Sequence, residues 1–145
     1  MSDEVQIRAD VDFFDMVREF HDKFDMYNGL EQGPHFPSND IMTLRNELLL
    51  EELKELIDSM KQGDIVGVAD GLTDVIYVTL GWAISYGIDL RPIFQEIHRS
   101  NMEKAGGGKR DDGKILKPNG WKPPQVKEIV TRQMHLAIEK ARERR

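Results

Sequence analysis

The chain has 145 residues, enough for one domain with a real hydrophobic core. Its net charge of −6 argues against general nucleic-acid binding, and the absence of cysteine excludes disulfides and thiolate metal sites. No apolar leader follows a basic start, so we predict no secretory signal and expect a cytoplasmic location.

Hydrophobic spacing divides the first part of the chain into two predicted helices joined by a loop. Apolar residues recur at helical spacing over about 10–26, which predicts a first helix with one buried face: Phe13, Phe14, Val17, Phe20 and Phe24. Residues 28–40 are rich in Gly, Pro and Asn and predict a loop. One of the polar residues at 38–40 would cap a second helix over about 40–62.

Two further helices are predicted from their capping residues. Asp64 would cap a third helix that is apolar almost all round, and Asp89 a fourth with Pro92 in its first turn. The third helix is long enough to cross a membrane. Asp70 and Asp74 in its middle make a buried bundle helix the stronger interpretation, so we expect no membrane partner.

The end of the chain differs in composition and charge. Residues 101–145 carry 12 Lys or Arg and 6 Asp or Glu, a balance of +6 that leaves −12 on residues 1–100. This asymmetry fits an acidic region, residues 1–100, that binds metal ions and a basic C-terminal region that binds an anion. Charged tails also serve solubility alone, so both interpretations stay open.

The predicted fold class is all-α, because no convincing run of residues predicts strands. We expect a single domain over 1–145, with a core over about 10–105 and a C-terminal helix over 126–143. Residues 106–125 between them are rich in Gly and Pro and have no helical period. The lysines and Trp121 of this segment suggest a lid that closes over a polyphosphate, with a disordered linker as the alternative.

Three glutamates occupy an unusual position in the second predicted helix. In "LLLEELKEL" (48–56), Glu51, Glu52 and Glu55 fall within about 100° of the helix circumference. Apolar residues occupy the same stripe one to three turns earlier, so a stripe that begins apolar becomes acidic. For this helix taken alone, a solvated acidic face is the simpler interpretation.

The third predicted helix favours a metal site instead. Asp70 and Asp74 lie one turn apart among apolar residues that leave little surface for water. Buried carboxylates must be protonated, paired with cations or bound to metal, and this helix contains no basic residue. Clustered oxygen donors suit a hard cation, Mg²⁺ with Mn²⁺ as a substitute. The predicted metal ligands are Glu51, Glu52, Glu55, Asp70 and Asp74.

Polar residues near the end of the fourth predicted helix are candidate substrate contacts. Asn101 and Lys104 continue an apolar stripe formed by Ile93, Phe94 and Ile97, and an amide and an ammonium there suit phosphate or a nucleoside. His98, and His21 on the first predicted helix, are each more simply explained as residues at the edge of the core. The full set of predicted substrate contacts is Asn101, Lys104, His98, Tyr77, Lys117, Trp121 and His21.

These motifs resemble the all-α NTP pyrophosphatase superfamily, which includes MazG-like proteins, all-α dUTPases and phosphoribosyl-ATP pyrophosphohydrolase. "EELKE" (51–55) matches the ExxE metal motif through Glu52 and Glu55. "ADGLTDVIYV" departs from the second motif, ExxD, because Gly71 stands where its glutamate would be; Asp70 is the expected replacement. "DGLTDVIYVTLGWAISYGID", "HRSNMEK" and "DGKILKPNGWKPP" are similar to the subgroup labelled Cof-like or phosphoribosyl-ATP pyrophosphohydrolase-like. The likeness covers roughly residues 13–125.

The resemblance implies a MazG-like four-helix bundle core, assembled as a homodimer or homotetramer. It implies Mg²⁺-dependent cleavage of a nucleoside triphosphate between the α and β phosphates, with Glu51 or Glu52 orienting or deprotonating the attacking water. It also places metal ligation on the five carboxylates and substrate contacts on Asn101 and Lys104. Three alternatives remain: phosphoribosyl-ATP as the substrate, a dUTP- or dCTP-specific enzyme, and a helical metal- or partner-binding module without turnover.

Overall fold

Residues 10–145 form five helices in a computed structural model of the chain. The helices are α1 (Phe13–Lys23), α2 (Asn39–Lys61), α3 (Ile65–Ser85), α4 (Leu90–Met102) and α5 (Val126–Glu143). Within these described residues, the only β-type pairing is an isolated bridge between Lys109 and Ile115. The all-α prediction is therefore confirmed, and the first predicted helix was three residues too long at each end.

Polar side chains cap the N-terminal ends of the first four helices, α1 to α4. The Asp64 carboxylate accepts a hydrogen bond from the backbone N–H of Gly67 (3.0 Å), and Asp89 accepts one from the N–H two residues later (3.0 Å). Both predicted caps are confirmed. At the start of α2 the cap is Ser38, whose hydroxyl accepts from the N–H of Ile41 at 3.4 Å.

Helices α2 and α3 form an antiparallel pair because only the short turn 62–64 separates them. Helix α1 lies against α3, and α4 packs against α5. The buried core is near the C-terminal end of α3, where apolar residues of α1 and α3 meet. Its members are Phe14, Val17, Ala83 and Ile84, with Leu30, Leu80 and Leu90 packed around them.

One prediction about α3 is wrong for the single chain. We expected α3 to be buried almost all round, but only 11% of its most apolar window is buried. Leu72 and Ile76 are 52% and 51% exposed, on the side of α3 turned away from α2. The physical reason is that the principal contacts of α3 are with α1 and α2, which cover one side only. By length and composition alone, α3 could cross a membrane.

The predicted inward stripe of α4 is also only partly buried. Ile93 is buried, but Phe94 is 76% exposed and Ile97 is 40% exposed. Helix α4 packs mainly against α5, so the rest of its apolar surface stays uncovered within one chain.

Candidate active site

Two glycines of α3 set its register against α2. A Cβ placed on Gly71 would lie 3.1 Å from both Cα and Cβ of Leu56. Ten residues later, a Cβ on Gly81 would lie 2.8 Å from Nη1 of Arg45. Asp74 lies between these two contacts on α3, and Glu52 lies between them on α2. The antiparallel register therefore brings Glu52 opposite Asp74.

Glu52 is the predicted metal ligand on which the negative charges of the other four act. It is half-buried, and its Oε2 atom is buried without a hydrogen-bond partner among the described residues. Burial raises the pKa of the Glu52 carboxyl, and four neighbouring negative charges raise it further. In decreasing order, these charges belong to Asp74, Glu55, Glu51 and Asp70.

The carboxylates around Glu52 differ in exposure. Asp74 is half-buried, whereas Glu51, Glu55 and Asp70 are exposed. Within residues 10–145, no three Asp, Glu or His side chains converge closely enough to form a metal site by themselves. The donor chemistry nevertheless fits a hard divalent cation, because all five side chains offer carboxylate oxygens, one of these oxygens is buried without a partner, and none of the five forms an ion pair among the described residues.

The close contact at Gly71 explains why the second motif departs from ExxD. A side chain at this position would be directed at the backbone of α2, because the Leu56 Cα lies 3.1 Å from the place of its Cβ. The glycine allows the two helices to approach closely. Asp70, the expected replacement, is exposed, and its charge still acts on Glu52.

An aromatic group follows the carboxylates along α3. Tyr77, one turn after Asp74, is 37% exposed, and its ring meets Phe20 of α1 edge-on at 5.6 Å between centroids. Phe20 in turn packs against Phe24, with ring centroids 4.8 Å apart. A partly exposed aromatic surface therefore lies beside the predicted metal ligands, where an aromatic base or a sugar can pack.

His21 is fully inside the chain, with 1% of its surface exposed. Its Nδ1 lies 2.9 Å from the carbonyl oxygen of Tyr27, and since a carbonyl only accepts, Nδ1–H donates. Burial lowers the pKa of His21, and the positive charge of Arg45 lowers it further, against the opposing effect of the Tyr27 hydrogen bond. The ring is therefore neutral near pH 7, with a lone pair on Nε2.

A second group of predicted residues lies at the end of α4. The indole Nε1–H of Trp121 donates to the carbonyl oxygen of Ser100 at 2.7 Å, which attaches the segment 106–125 to α4. The ammonium groups of Lys117 and Lys104 lie 4.8 and 5.3 Å from the centroid of the Trp121 ring. Neither lysine has a carboxylate partner in the described chain, so the pair can bind an anion.

Within the single chain, the predicted residues at the end of α4 do not contact the five carboxylates of α2 and α3. Asn101 and His98 are exposed on α4, near the lysine pair in sequence. Across residues 10–145, no hydrogen bond, ion pair or ring contact joins the α4 group to the carboxylates. Three clefts with volumes of about 530 to 730 Å³ lie elsewhere, and none is lined by any of the five carboxylates.

Arg45 is a residue that sequence reasoning missed. It is 4% exposed, its Nε atom is buried without a partner, and it forms no ion pair in the described part of the chain. Burial lowers the pKa of Arg45. Two features of the sequence could have drawn attention to Arg45. It is a basic residue seven positions before Glu52, at the edge of the acidic stripe, and a glycine, Gly81, lies seven positions after Asp74.

The sequence profile of the family described as phosphoribosyl-ATP pyrophosphohydrolase matches residues 17–101, which is more than half of the chain. The match contains all five predicted metal ligands, together with His21, Arg45 and Asn101. It ends before Lys104 and the segment 106–125. No curated protein matches the chain.

Proposed function

Because this chain belongs to the phosphoribosyl-ATP pyrophosphohydrolase family and is therefore a hydrolase of nucleotide pyrophosphate bonds, we propose that its substrate is a nucleoside triphosphate. The bond broken is the anhydride between the α and β phosphates, and the products are a nucleoside monophosphate and pyrophosphate. The observation that supports this most directly is the buried, unpartnered oxygen of Glu52, on whose carboxyl group the negative charges of four further carboxylates act.

The five carboxylates would hold Mg²⁺ or Mn²⁺ once a nucleotide is present. The cation would supply positive charge at the phosphates and lower the pKa of a water molecule. Glu52 is the first candidate for orienting or deprotonating the attacking water, because its buried Oε2 atom has no partner among the described residues. Glu51, next to it and exposed, is the second candidate for orienting the attacking water.

Lys104 and Lys117 are proposed to bind the departing pyrophosphate. Two ammonium groups held against one indole ring provide a fixed pair of charges for a phosphate. Asn101 and His98 on the same helix would contact the nucleotide from the same side. Tyr77 and His21 would contact it from the α3 side.

A second copy of the chain is proposed to complete the site. Two features support self-association: the half-exposed Leu72 and Ile76 on the far side of α3, and the absence of any contact in the described chain between the lysine pair and the carboxylates. Soluble proteins rarely leave a contiguous apolar surface uncovered. A dimer or tetramer would cover this surface and place the α4 group of one copy over the carboxylates of another.

The products of hydrolysis test the proposal. The protein is incubated with Mg²⁺ and a panel of ribo- and deoxynucleoside triphosphates, with phosphoribosyl-ATP in a parallel reaction, and the products are separated by chromatography. We expect pyrophosphate and a monophosphate in equal amounts. A nucleoside diphosphate with orthophosphate as the first products would reject the proposed bond, and turnover of phosphoribosyl-ATP alone would reject the proposed substrate.

A further inference from the structure

The dipeptide Asn-Gly occurs twice in the chain, as Asn28–Gly29 and as Asn119–Gly120. Asparagine before glycine is prone to deamidation, because glycine has no side chain to keep its backbone nitrogen away from the asparagine amide carbon. The two pairs have the same sequence, so a difference between their reaction rates has to come from the fold.

The first pair is held by hydrogen bonds at both residues. The side chain of Asn28 donates to a carboxylate oxygen of Asp22 at 3.3 Å and accepts from the N–H of Leu30 at 2.9 Å. The N–H of Gly29 donates to the carbonyl oxygen of Ile84 at 2.9 Å. A Cβ on the buried Gly29 would lie 2.5 Å from the nearest side-chain atom, so the space around this glycine is filled. The Gly29 nitrogen therefore cannot reach the Asn28 amide unless several contacts open together.

The second pair lies in an open turn. The N–H of Trp121 donates to the carbonyl oxygen of Pro118 at 3.2 Å, and Gly120 between them has a φ of 78°. Among the described residues, none accepts a hydrogen bond from the Gly120 N–H and none is hydrogen-bonded to the amide of Asn119. A Cβ on Gly120 would have no atom within 4 Å, and Asn119 is exposed. No hydrogen bond of this pair has to break before its nitrogen and amide carbon meet.

The charge of the segment 106–125 favours the first step of the reaction. This segment contains five Lys or Arg and two Asp, a balance of +3. The reaction begins when hydroxide or water removes the proton of the Gly120 N–H, and nearby cations stabilise the nitrogen anion that forms. Lys117 and Lys122 lie within three residues of Gly120, and neither forms an ion pair among residues 10–145.

We propose that Asn119 is a site of spontaneous deamidation, whereas Asn28 keeps its amide. The Gly120 nitrogen forms a bond to Cγ of Asn119, and the bond from Cγ to the side-chain nitrogen breaks. The side-chain amino group takes up one proton, equivalent to the one that Gly120 lost, and leaves as ammonia. Water then opens the cyclic imide at one of its two carbonyl groups, which gives aspartate or, with the backbone shifted to the side-chain carbonyl, isoaspartate.

The product changes the surroundings of Trp121. A carboxylate replaces a neutral amide, and the charge balance of the segment 106–125 falls from +3 to +2. Isoaspartate also lengthens the backbone inside the turn that joins Pro118 to Trp121. Because the ring of Trp121 contacts Lys104 and Lys117, deamidation would weaken the binding of pyrophosphate. This consequence rests on the proposed function, whereas the modification itself does not.

Ageing of the full-length protein tests the modification. The protein is kept at mildly alkaline pH, with and without urea, and is then digested with pepsin in acid, where deamidation is slow. Mass spectrometry of the two peptides measures the conversion of each asparagine. In the folded protein, Asn119 should react at least about tenfold faster than Asn28, because three hydrogen bonds hold the Asn28 pair. In urea, where these bonds are lost, the two rates should be similar.

The matched variant is Asn119→Gln, whose longer side chain would have to close a larger ring that forms far more slowly. Its KM for a triphosphate should stay constant on ageing, whereas the KM of the wild type should rise as the acid accumulates. Asn119→Asp should show a KM raised about twofold without ageing, the effect of one exposed charge.

Two results would overturn the modification site: an Asn119 that keeps its amide in the folded protein, or one that reacts no faster than Asn28. Conversion of Asn119 with an unchanged KM would reject its effect on nucleotide binding. Conversion of Asn119 in a protein that hydrolyses no triphosphate would reject the proposed function and support the modification site, so the two failures are distinguishable.

Discussion

Gly71 of α3 and Leu56 of α2 lie in direct contact, with the place of a Gly71 Cβ only 3.1 Å from the Leu56 Cα. The contact explains both how closely the two helices approach and why no acidic side chain occupies position 71. The same register places Glu52 opposite Asp74. One alignment of α2 and α3 thus explains both the close packing at Gly71 and the position of Glu52 opposite Asp74.

Gly71→Ala is expected to destabilise the chain. Alanine favours a helix over glycine by about 1 kcal/mol. The added methyl group nevertheless meets the α2 backbone, which cannot move aside as a flexible side chain can, and overpacking costs about 1–3 kcal/mol. Denaturant unfolding measures the net decrease in the free energy of unfolding. Ala69→Leu, at an exposed position of the same helix, should change the free energy of unfolding by less than about 0.5 kcal/mol. A Gly71→Ala variant as stable as the wild type would show that α2 and α3 can separate freely.

Glu52→Gln is expected to lower turnover by at least about 100-fold, the contribution typical of a general base, while the protein stays folded. Pyrophosphate release at saturating Mg²⁺ measures the rate. Glu47→Gln is the control, because Glu47 is exposed on the same helix and is not among the charges that raise the pKa of Glu52. A near-normal rate in Glu52→Gln would remove Glu52 from the catalytic site.

The same variant has an expected pH signature in the absence of divalent cations. The folded-state pKa of Glu52 is raised, so its contribution to stability is present at low pH and is lost as pH rises through that pKa. Glu52→Gln should therefore be more stable than the wild type at pH 7, and the difference should vanish towards the ordinary pKa of a glutamate. Mg²⁺ should raise the melting temperature of the wild type more than that of the variant. Thermal unfolding at several pH values, with and without Mg²⁺, measures both effects.

Much of the local structure was predictable because local contacts determine it. The Asp64 and Asp89 caps need only the N–H groups two or three residues later, and the α5 bounds follow from the end of a Gly- and Pro-rich segment. The charges of the other predicted metal ligands act on Glu52 because two short motifs occur at helical spacing on adjacent antiparallel helices.

The unpredicted features depend on residues that are distant in sequence. Nothing near Arg45 in the sequence indicates that it is buried without a partner, because this depends on Gly81 of α3 and His21 of α1. The attachment of Trp121 to the Ser100 carbonyl likewise joins residues 21 positions apart. The exposure of Leu72 and Ile76 on α3 was missed because an apolar sequence predicts burial, whereas the fold of the single chain leaves these side chains about half exposed.

The double variant Lys104→Gln/Lys117→Gln is expected to raise KM about tenfold. Each substitution would remove a charged contact with phosphate. Such a contact stabilises a complex by roughly 1.5–3 kcal/mol, and by less at an exposed position. The KM of the wild type should rise with salt, and that of the variant should rise less. Lys109→Gln/Lys122→Gln, in the same segment but away from Trp121 in the described contacts, is the control. If both double variants raised KM equally, the positive charge of the whole region would attract the nucleotide, and Lys104 and Lys117 would not form a specific binding pair.

Ile76→Glu is expected to break self-association and activity together. Ile76 is 51% exposed in the single chain, on the side of α3 turned away from α2, so the change costs the isolated chain little. In an assembly it would bury an unpaired carboxylate in an apolar contact, which is strongly unfavourable. Sedimentation equilibrium should give a larger assembly for the wild type and a monomer for the variant. Met134→Glu on α5, at a residue 41% exposed, should keep the wild-type mass. A monomeric wild type with full turnover would show that one chain forms the complete site.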